Sequence, residues 1–153
     1  MLELFSNSAE TTIKIGEIIG ANLKKGDIIA FKGTLAAGKT TLTKGIATSL
    51  SIDEVITSPT FTLVSEYEGK LPLYHFDVYR LDTVEDFLNL GSEEMLYGEG
   101  ICVIEWSEKI ESALPKDAII IEIEILTPET RKIIINNWPY TTDIFKEYTK
   151  WKL

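Results

Sequence analysis

The stretch Asp27-Ile-Ile-Ala-Phe-Lys32 runs directly into Gly33-Thr-Leu-Ala-Ala-Gly38-Lys39-Thr40-Thr41, and that order decides the fold. The first half is a short apolar run with charged ends, which reads as a buried strand. The second fits G-x-x-x-x-G-K-[ST], the phosphate-binding loop. Leu42, Ile46 and Leu50 then recur at helical spacing, so the loop feeds a helix spanning 40–50. A helix start presents unpaired N–H groups and the positive end of the helix dipole, the surroundings that polyphosphates need. The stretch therefore predicts a nucleoside triphosphate site. Gly33, Thr34, Leu35, Ala36, Ala37 and Gly38 would form the cradle and Lys39 would reach the β and γ phosphates. The Thr40 hydroxyl would ligate Mg²⁺, and Thr41 would touch the α phosphate.

Outward from this centre, strands and helices interleave. Asn7-Ser-Ala-Glu10 offers an N-cap with an acid three residues on, and Ile15, Ile19 and Leu23 continue a helix to Gly26. Past Pro59, residues 61–67 and 71–79 are rich in β-formers and flank the turn Glu68-Gly-Lys70, which makes an antiparallel hairpin. Asp82-Thr-Val-Glu85 starts a helix ending at Gly91, and 92–96 add a turn. Ile101-Cys-Val-Ile104 is a buried strand leading to Glu105, and 107–114 form a helix stopped by Pro115. Residues 118–126 and 131–136 make a second hairpin, and 141–151 a short helical tail. The pattern predicts one α/β domain over 1–153, a mixed and mostly parallel P-loop NTPase-like sheet flanked by helices, with antiparallel hairpins.

The 153 residues are 44% hydrophobic, enough for one core, and carry a formal charge of −9. An acidic surface repels nucleic-acid phosphates, so direct DNA binding is not expected and contact with RNA would pass through partners. Met1-Leu-Glu-Leu-Phe-Ser6 has no basic segment before an apolar run, and no stretch approaches the ~18 apolar residues of a membrane span. The lone Cys102, in an apolar strand, reads as a buried thiol in a reducing compartment. A cytoplasmic protein is expected.

Phosphoryl chemistry also needs an acid near Mg²⁺ and a group that orients the attacking nucleophile. Glu105 stands at the C-terminal end of an apolar strand, where open α/β sheets bind ligands. In Tyr74-His-Phe-Asp-Val-Tyr79 the period of two puts His75, Asp77 and Tyr79 on one face, opposite Tyr74, Phe76 and Val78. Asp77 and Glu105 are thus the candidate metal and catalytic acids. His75, the only histidine, reads as a hydrogen-bonded structural group. Trp106 covers either a nucleotide or the core, and Trp138 and Trp151 pack the tail. Thr57-Ser-Pro-Thr60 is placed where a loop sensing the γ-phosphate would lie, or is a plain turn. The chain lacks Asn-Lys-x-Asp, so ATP is favoured over GTP. Arg80 and Arg131 are its only arginines, too few for the clamp of a small-molecule kinase.

Taken together, Gly33 to Thr41, Ser58-Pro-Thr-Phe61, His75-Phe-Asp-Val-Tyr-Arg80, Leu90-Gly91 with Glu93-Glu94, and Val103-Ile-Glu-Trp106 with Glu108 resemble the TsaE (YjeE) family. That family comprises small bacterial ATPases of tRNA threonylcarbamoyladenosine biosynthesis. The resemblance implies that Lys39, Thr40 and Thr41 bind ATP with Mg²⁺ and that Thr60 belongs to a switch. It also implies that Asp77 and Glu105 are metal or catalytic acids with Trp106 as a functional neighbour. The implied partners are the TsaB and TsaD proteins, which modify adenosine 37 of tRNAs reading codons that begin with A. The chain departs from the family pattern at Thr34, where an acid is usual, at Ala36, where glycine is usual, and at Ser107, where proline is common.

Overall fold

In the computed structural model, which describes residues 1–32, 38–57 and 63–150, the strand before the phosphate loop lies at the centre of the sheet. Strands β1 (Leu2–Ser6), β2 (Ile28–Lys32), β3 (Val64–Tyr67), β4 (Leu73–Asp77), β5 (Ile101–Glu105), β6 (Ile119–Ile125) and β7 (Arg131–Asn136) form one sheet in the order β1-β7-β6-β2-β5-β4-β3. The four middle strands, β6, β2, β5 and β4, are parallel neighbours. Antiparallel β7 and β3 hang on them through the two predicted hairpins. The expected mixed, mostly parallel sheet is therefore the observed one. β1, by contrast, is absent from the sequence reading. Its five residues carry little signal alone, and the strand exists because it pairs with β7, Leu4 opposite Ile133.

Both faces of the sheet are covered, as a parallel sheet requires. On one lie α1 (Ala9–Asn22) and α2 (Lys39–Ser49), whose Ile15, Ile19, Leu42 and Ile46 bury against Ile29, Phe31 and Val103. The two helices meet backbone to backbone: a β-carbon on Gly45 would strike the Ile13 carbonyl and come within 2.9 Å of the Gly16 Cα. On the other face α3 (Val84–Leu88), α4 (Ser92–Leu96) and a 3-10 segment (Ser107–Ala113) bury Phe87, Leu96 and Ile110 against Phe76, Cys102 and Ile104. Cys102 is buried, and burial pushes its thiol up to about 12.

Several boundaries move by local chemistry. Ser8, not Asn7, caps α1, accepting from the Thr11 N–H at 3.1 Å. Thr83, not Asp82, caps α3 in a reciprocal capping box with Asp86. The expected helix over 107–114 is a 3-10 segment broken at Ile110 (φ −128°, ψ 26°), because its first residue is tethered to β2, as described below. The tail is a 3-10 piece over Asp143–Tyr148, held by the fully buried Phe145 ring. Ile144 and Tyr148 pack beside it only partly buried, and so short an apolar face does not sustain a longer α-helix. Trp138 packs edge-on to Phe145 and Tyr140, as a packing residue should, and Trp151 lies outside the described residues. No helix among the described residues is long and apolar enough to cross a membrane.

Candidate nucleotide site

The head of α2 begins at Gly38, whose φ of 112° lies in the region that β-carbons disfavour. From there the chain enters the helix at once, Leu42 N–H donating to Gly38 O at 2.9 Å. Lys39 is buried in this first turn, and its carbonyl accepts a further bond from Thr43 Oγ1 at 2.8 Å. Thr40 and Thr41 are half-buried beside it. Gly33, Thr34, Leu35, Ala36 and Ala37, and the Thr60 of the candidate switch, lie outside the described residues.

The acids come from the neighbouring parallel strands. The β4–β5 register sets Asp77 opposite Glu105 and His75 opposite Val103, so these side chains share the face that α2 covers. Glu105 is only 6% exposed, and a carboxylate so placed needs a partner. His75 supplies one, its Nε2 standing 2.9 Å from Glu105 Oε2. The other ring nitrogen, Nδ1, is buried with no hydrogen-bond partner among the described residues. His75 is therefore the hydrogen-bonded group expected, but what it holds is a candidate catalytic acid. Its face is also not the open polar one that alternation suggested: His75 is fully buried, Leu73 beside it is core, and Tyr79 lies beyond the strand's end. Asp77 is half-buried, and its Oδ1 accepts from the Tyr79 N–H at 3.0 Å.

Lys39 faces this group. Burial lowers its pKa, while the carboxylates of Glu105, Glu108 and Asp77 pull it back up, in that order. Its Nζ lies 4.4 Å from the centroid of the Trp106 ring. Trp106 itself sits at φ 63°, ψ 36°, a left-handed conformation that a bulky residue rarely adopts. The residues on either side are both anchored. Glu105 ends β5, and Ser107 Oγ donates a buried 3.0 Å bond to Phe31 O in β2. The Tyr79 ring packs on Trp106 at 4.8 Å, and Lys109 lies over Tyr79 in turn. Lys39, Asp77 and the adjoining pair Glu105 and Trp106, from three separate stretches of the sequence, thus stand together. Among the described residues no group of three or more His, Cys, Asp or Glu side chains converges on one metal position. Two carboxylates and the Thr40 hydroxyl are nonetheless hard oxygen donors of the kind Mg²⁺ takes while keeping several waters.

One neighbour escaped the sequence reading. A cavity of about 330 Å³ adjoins the head of α2 on the side away from Glu105, and both Gly38 and Thr41 line it together with Glu129 and Arg131. The one available signal was that Arg131 is among only two arginines, on a turn next to a candidate ligand-binding strand.

Strand, loop motif and helix at the middle of this sheet make the chain an α/β protein of the P-loop NTPase-like fold class. A family model described as "Threonylcarbamoyl adenosine biosynthesis protein TsaE" matches residues 6–133. The chain belongs to the TsaE family, which acts in tRNA threonylcarbamoyladenosine biosynthesis. Among its relatives, the TsaE protein of Treponema pallidum (strain Nichols) is 47% identical over 130 residues, covering 85% of this chain and 96% of that one. TsaE of Bacillus subtilis (strain 168) is 42% identical over 125 residues, covering 81% and 78%. The crystal structure of B. subtilis YdiB superposes with a TM-score of 0.75 at 35% identity, covering 95% of this chain and 92% of that one.

Proposed function

We propose that this chain binds and hydrolyses ATP with Mg²⁺ as a subunit needed for threonylcarbamoyl modification of adenosine 37 in tRNAs reading ANN codons, working with TsaB and TsaD. The observation that carries this reading is the meeting of Lys39, on the phosphate-loop helix, with Glu105 and Asp77 at the ends of β5 and β4. Lys39 would leave the Trp106 ring to donate to β and γ oxygens. Thr40, Asp77 and Glu105 would hold the metal directly or through its waters. Mg²⁺ would neutralise charge developing on the phosphoryl oxygens. Glu105, fixed by His75, is the group placed to orient an attacking water, and Asp77 is the second acid.

The −9 charge supports a subunit that meets tRNA through its partners rather than directly; the lone, buried Cys102 fits work in the reducing cytoplasm. That the chain has only two arginines, Arg80 and Arg131, also supports a site completed in a complex. ATP hydrolysis by the purified chain, alone and with TsaB and TsaD, tests the reading, with Lys39→Ala as control. Turnover should rise with the partners and fall to background in the variant. Turnover that stays at the Lys39→Ala level in both mixtures would leave a nucleotide-gated binding module without catalysis.

A further inference from the structure

We propose that Tyr79 and Lys109 are positioning residues for Lys39: together with Trp106 they hold the lysine away from the phosphates, so that loosening them tightens nucleotide binding. This rests on the nucleotide reading above and adds to it what Lys39 gives up to reach a phosphate.

Four side chains make a series of contacts in which cations flank two rings. Lys39 Nζ lies 4.4 Å from the Trp106 ring centroid, the Trp106 and Tyr79 rings meet at 4.8 Å between centroids with 48° between their planes, and Lys109 Nζ lies 4.8 Å from the Tyr79 centroid. Each of these separations is one at which such pairs attract. The inner end of the series is buried at Lys39, and the outer end, Tyr79 and Lys109, is exposed. An ammonium withdrawn from water gains more from a ring than one on the surface does, so the contact with Trp106 competes with any phosphate for Lys39.

The outer pair decides where the Trp106 ring lies. With Glu105 at the end of β5 and Ser107 bonded to Phe31 O, the backbone sets the position of the Trp106 Cβ, and the side-chain torsions are left to the neighbours. Tyr79 is the aromatic neighbour that packs on the ring. Tyr79 is held in turn at three points: its N–H donates to Asp77 Oδ1 at 3.0 Å, its carbonyl accepts from Lys109 Nζ, and the same Nζ lies over its ring. Lys109 therefore acts on Lys39 through two rings. A binding group held in a non-binding position lowers the apparent affinity by the fraction of time it is available, and loosening the hold raises that fraction. Charge alone predicts the reverse for Lys109, since removing a cation from an acidic neighbourhood repels a polyphosphate further. The two effects differ in sign.

Calorimetric titration of ATP with Mg²⁺ into the wild-type chain, Lys109→Met, Lys109→Arg and Tyr79→Leu reads that sign. Both substituted side chains stand on the surface, so the core is left intact. Lys109→Met and Tyr79→Leu should each tighten ATP about three- to tenfold, and Lys109→Arg, which keeps a cation over the Tyr79 ring, should stay within about twofold of the wild type. In a Lys39→Met background the same two substitutions should change ATP affinity by less than about twofold, because the group they release is gone. Weaker or unchanged ATP binding in Lys109→Met would overturn the inference, and so would a gain that persists without Lys39. Equal ATP affinity of the wild type and Lys39→Met would refute the nucleotide reading itself and this inference with it, a result distinct from the others.

Discussion

The two faces of the sheet are closed in different ways. On one, helices of 14 and 11 residues pack so tightly that Gly16 and Gly45 touch through their backbones. On the other, two helices of five residues each and a kinked 3-10 segment are held by side chains such as Phe87 and Ile110, and Tyr79 and Tyr97 stand 53% and 69% exposed. The first face fixes the helix that carries Lys39. The second carries Trp106, the ring on which Lys39 rests. The residue proposed to meet phosphate is thus on the tighter side, and the ring it now rests on is on the side with less to hold it. Local openings are drawn from regions of the second kind.

The largest expected effect breaks the tight face. Gly45→Val puts a branched side chain against the Ile13 carbonyl and the Gly16 Cα, where no rotamer relieves the overlap. Thermal melting followed by circular dichroism should show a fall of more than about 10 °C or no native transition at all. A near-normal melt would mean that α1 can slide away and that this face is not rigid.

Phe87→Ala asks the same of the other face. Phe87 is fully buried and meets Phe76 edge-on at 5.5 Å between centroids. Urea denaturation should give a loss of about 3–5 kcal/mol, less if α3 collapses into the space. A loss under about 1 kcal/mol would show that this face was scarcely cohesive to begin with.

Cys102 reports how that face opens. Its Sγ lies against Met95 O of α4 at 3.3 Å, and burial raises the thiol from 9.0 to about 12. In the folded chain at pH 8 about one thiol in 10⁴ is ionised, so iodoacetamide should label it at least about a hundredfold slower than the unfolded chain. Labelling should accelerate in urea well below the global midpoint, as α4 lifts. If it returns only with global unfolding, the two faces are equally rigid. The same shift has a sign for stability. Between pH 9 and about 12 the folded state retains the proton that the unfolded state releases, so stability falls as pH rises through that window.

What could be read from the sequence follows this division. β2, α2 and the acid at the end of β5 were legible because each is fixed by a local pattern: apolar run, helical period and strand end. β1 was not, since its pairing with β7 is set by a partner more than a hundred residues away. The Gly16–Gly45 contact was invisible for the same reason, because a glycine's neighbour across a helix interface leaves no periodic mark. In the site, Asp77 and Glu105 were found as strand ends, but His75 as the group fixing Glu105 required the register that sets β4 beside β5. Glu129 and Arg131 read as an ordinary polar turn until the sheet order brought them to the head of α2.

The smallest effect tests a buried tie between the looser face and the strand that feeds the loop; the other tie recorded there, Lys32 Nζ to Glu111 Oε1 at 3.1 Å, is exposed. Ser107 Oγ donates to Phe31 O, one residue before the end of β2, and the bond is fully buried. Ser107→Ala removes a single hydrogen bond without opening space, so stability should fall by about 1 kcal/mol in urea denaturation. If that bond also holds Trp106 in its left-handed conformation, the variant should shift tryptophan emission to the red, and a Trp106→Phe background should abolish the shift. A stability loss with no spectral change would mean that Glu105 and the Lys39 contact suffice to place the ring. The 3-10 segment would then be fastened to β2 for stability alone, and the contrast between the two faces would end short of the site.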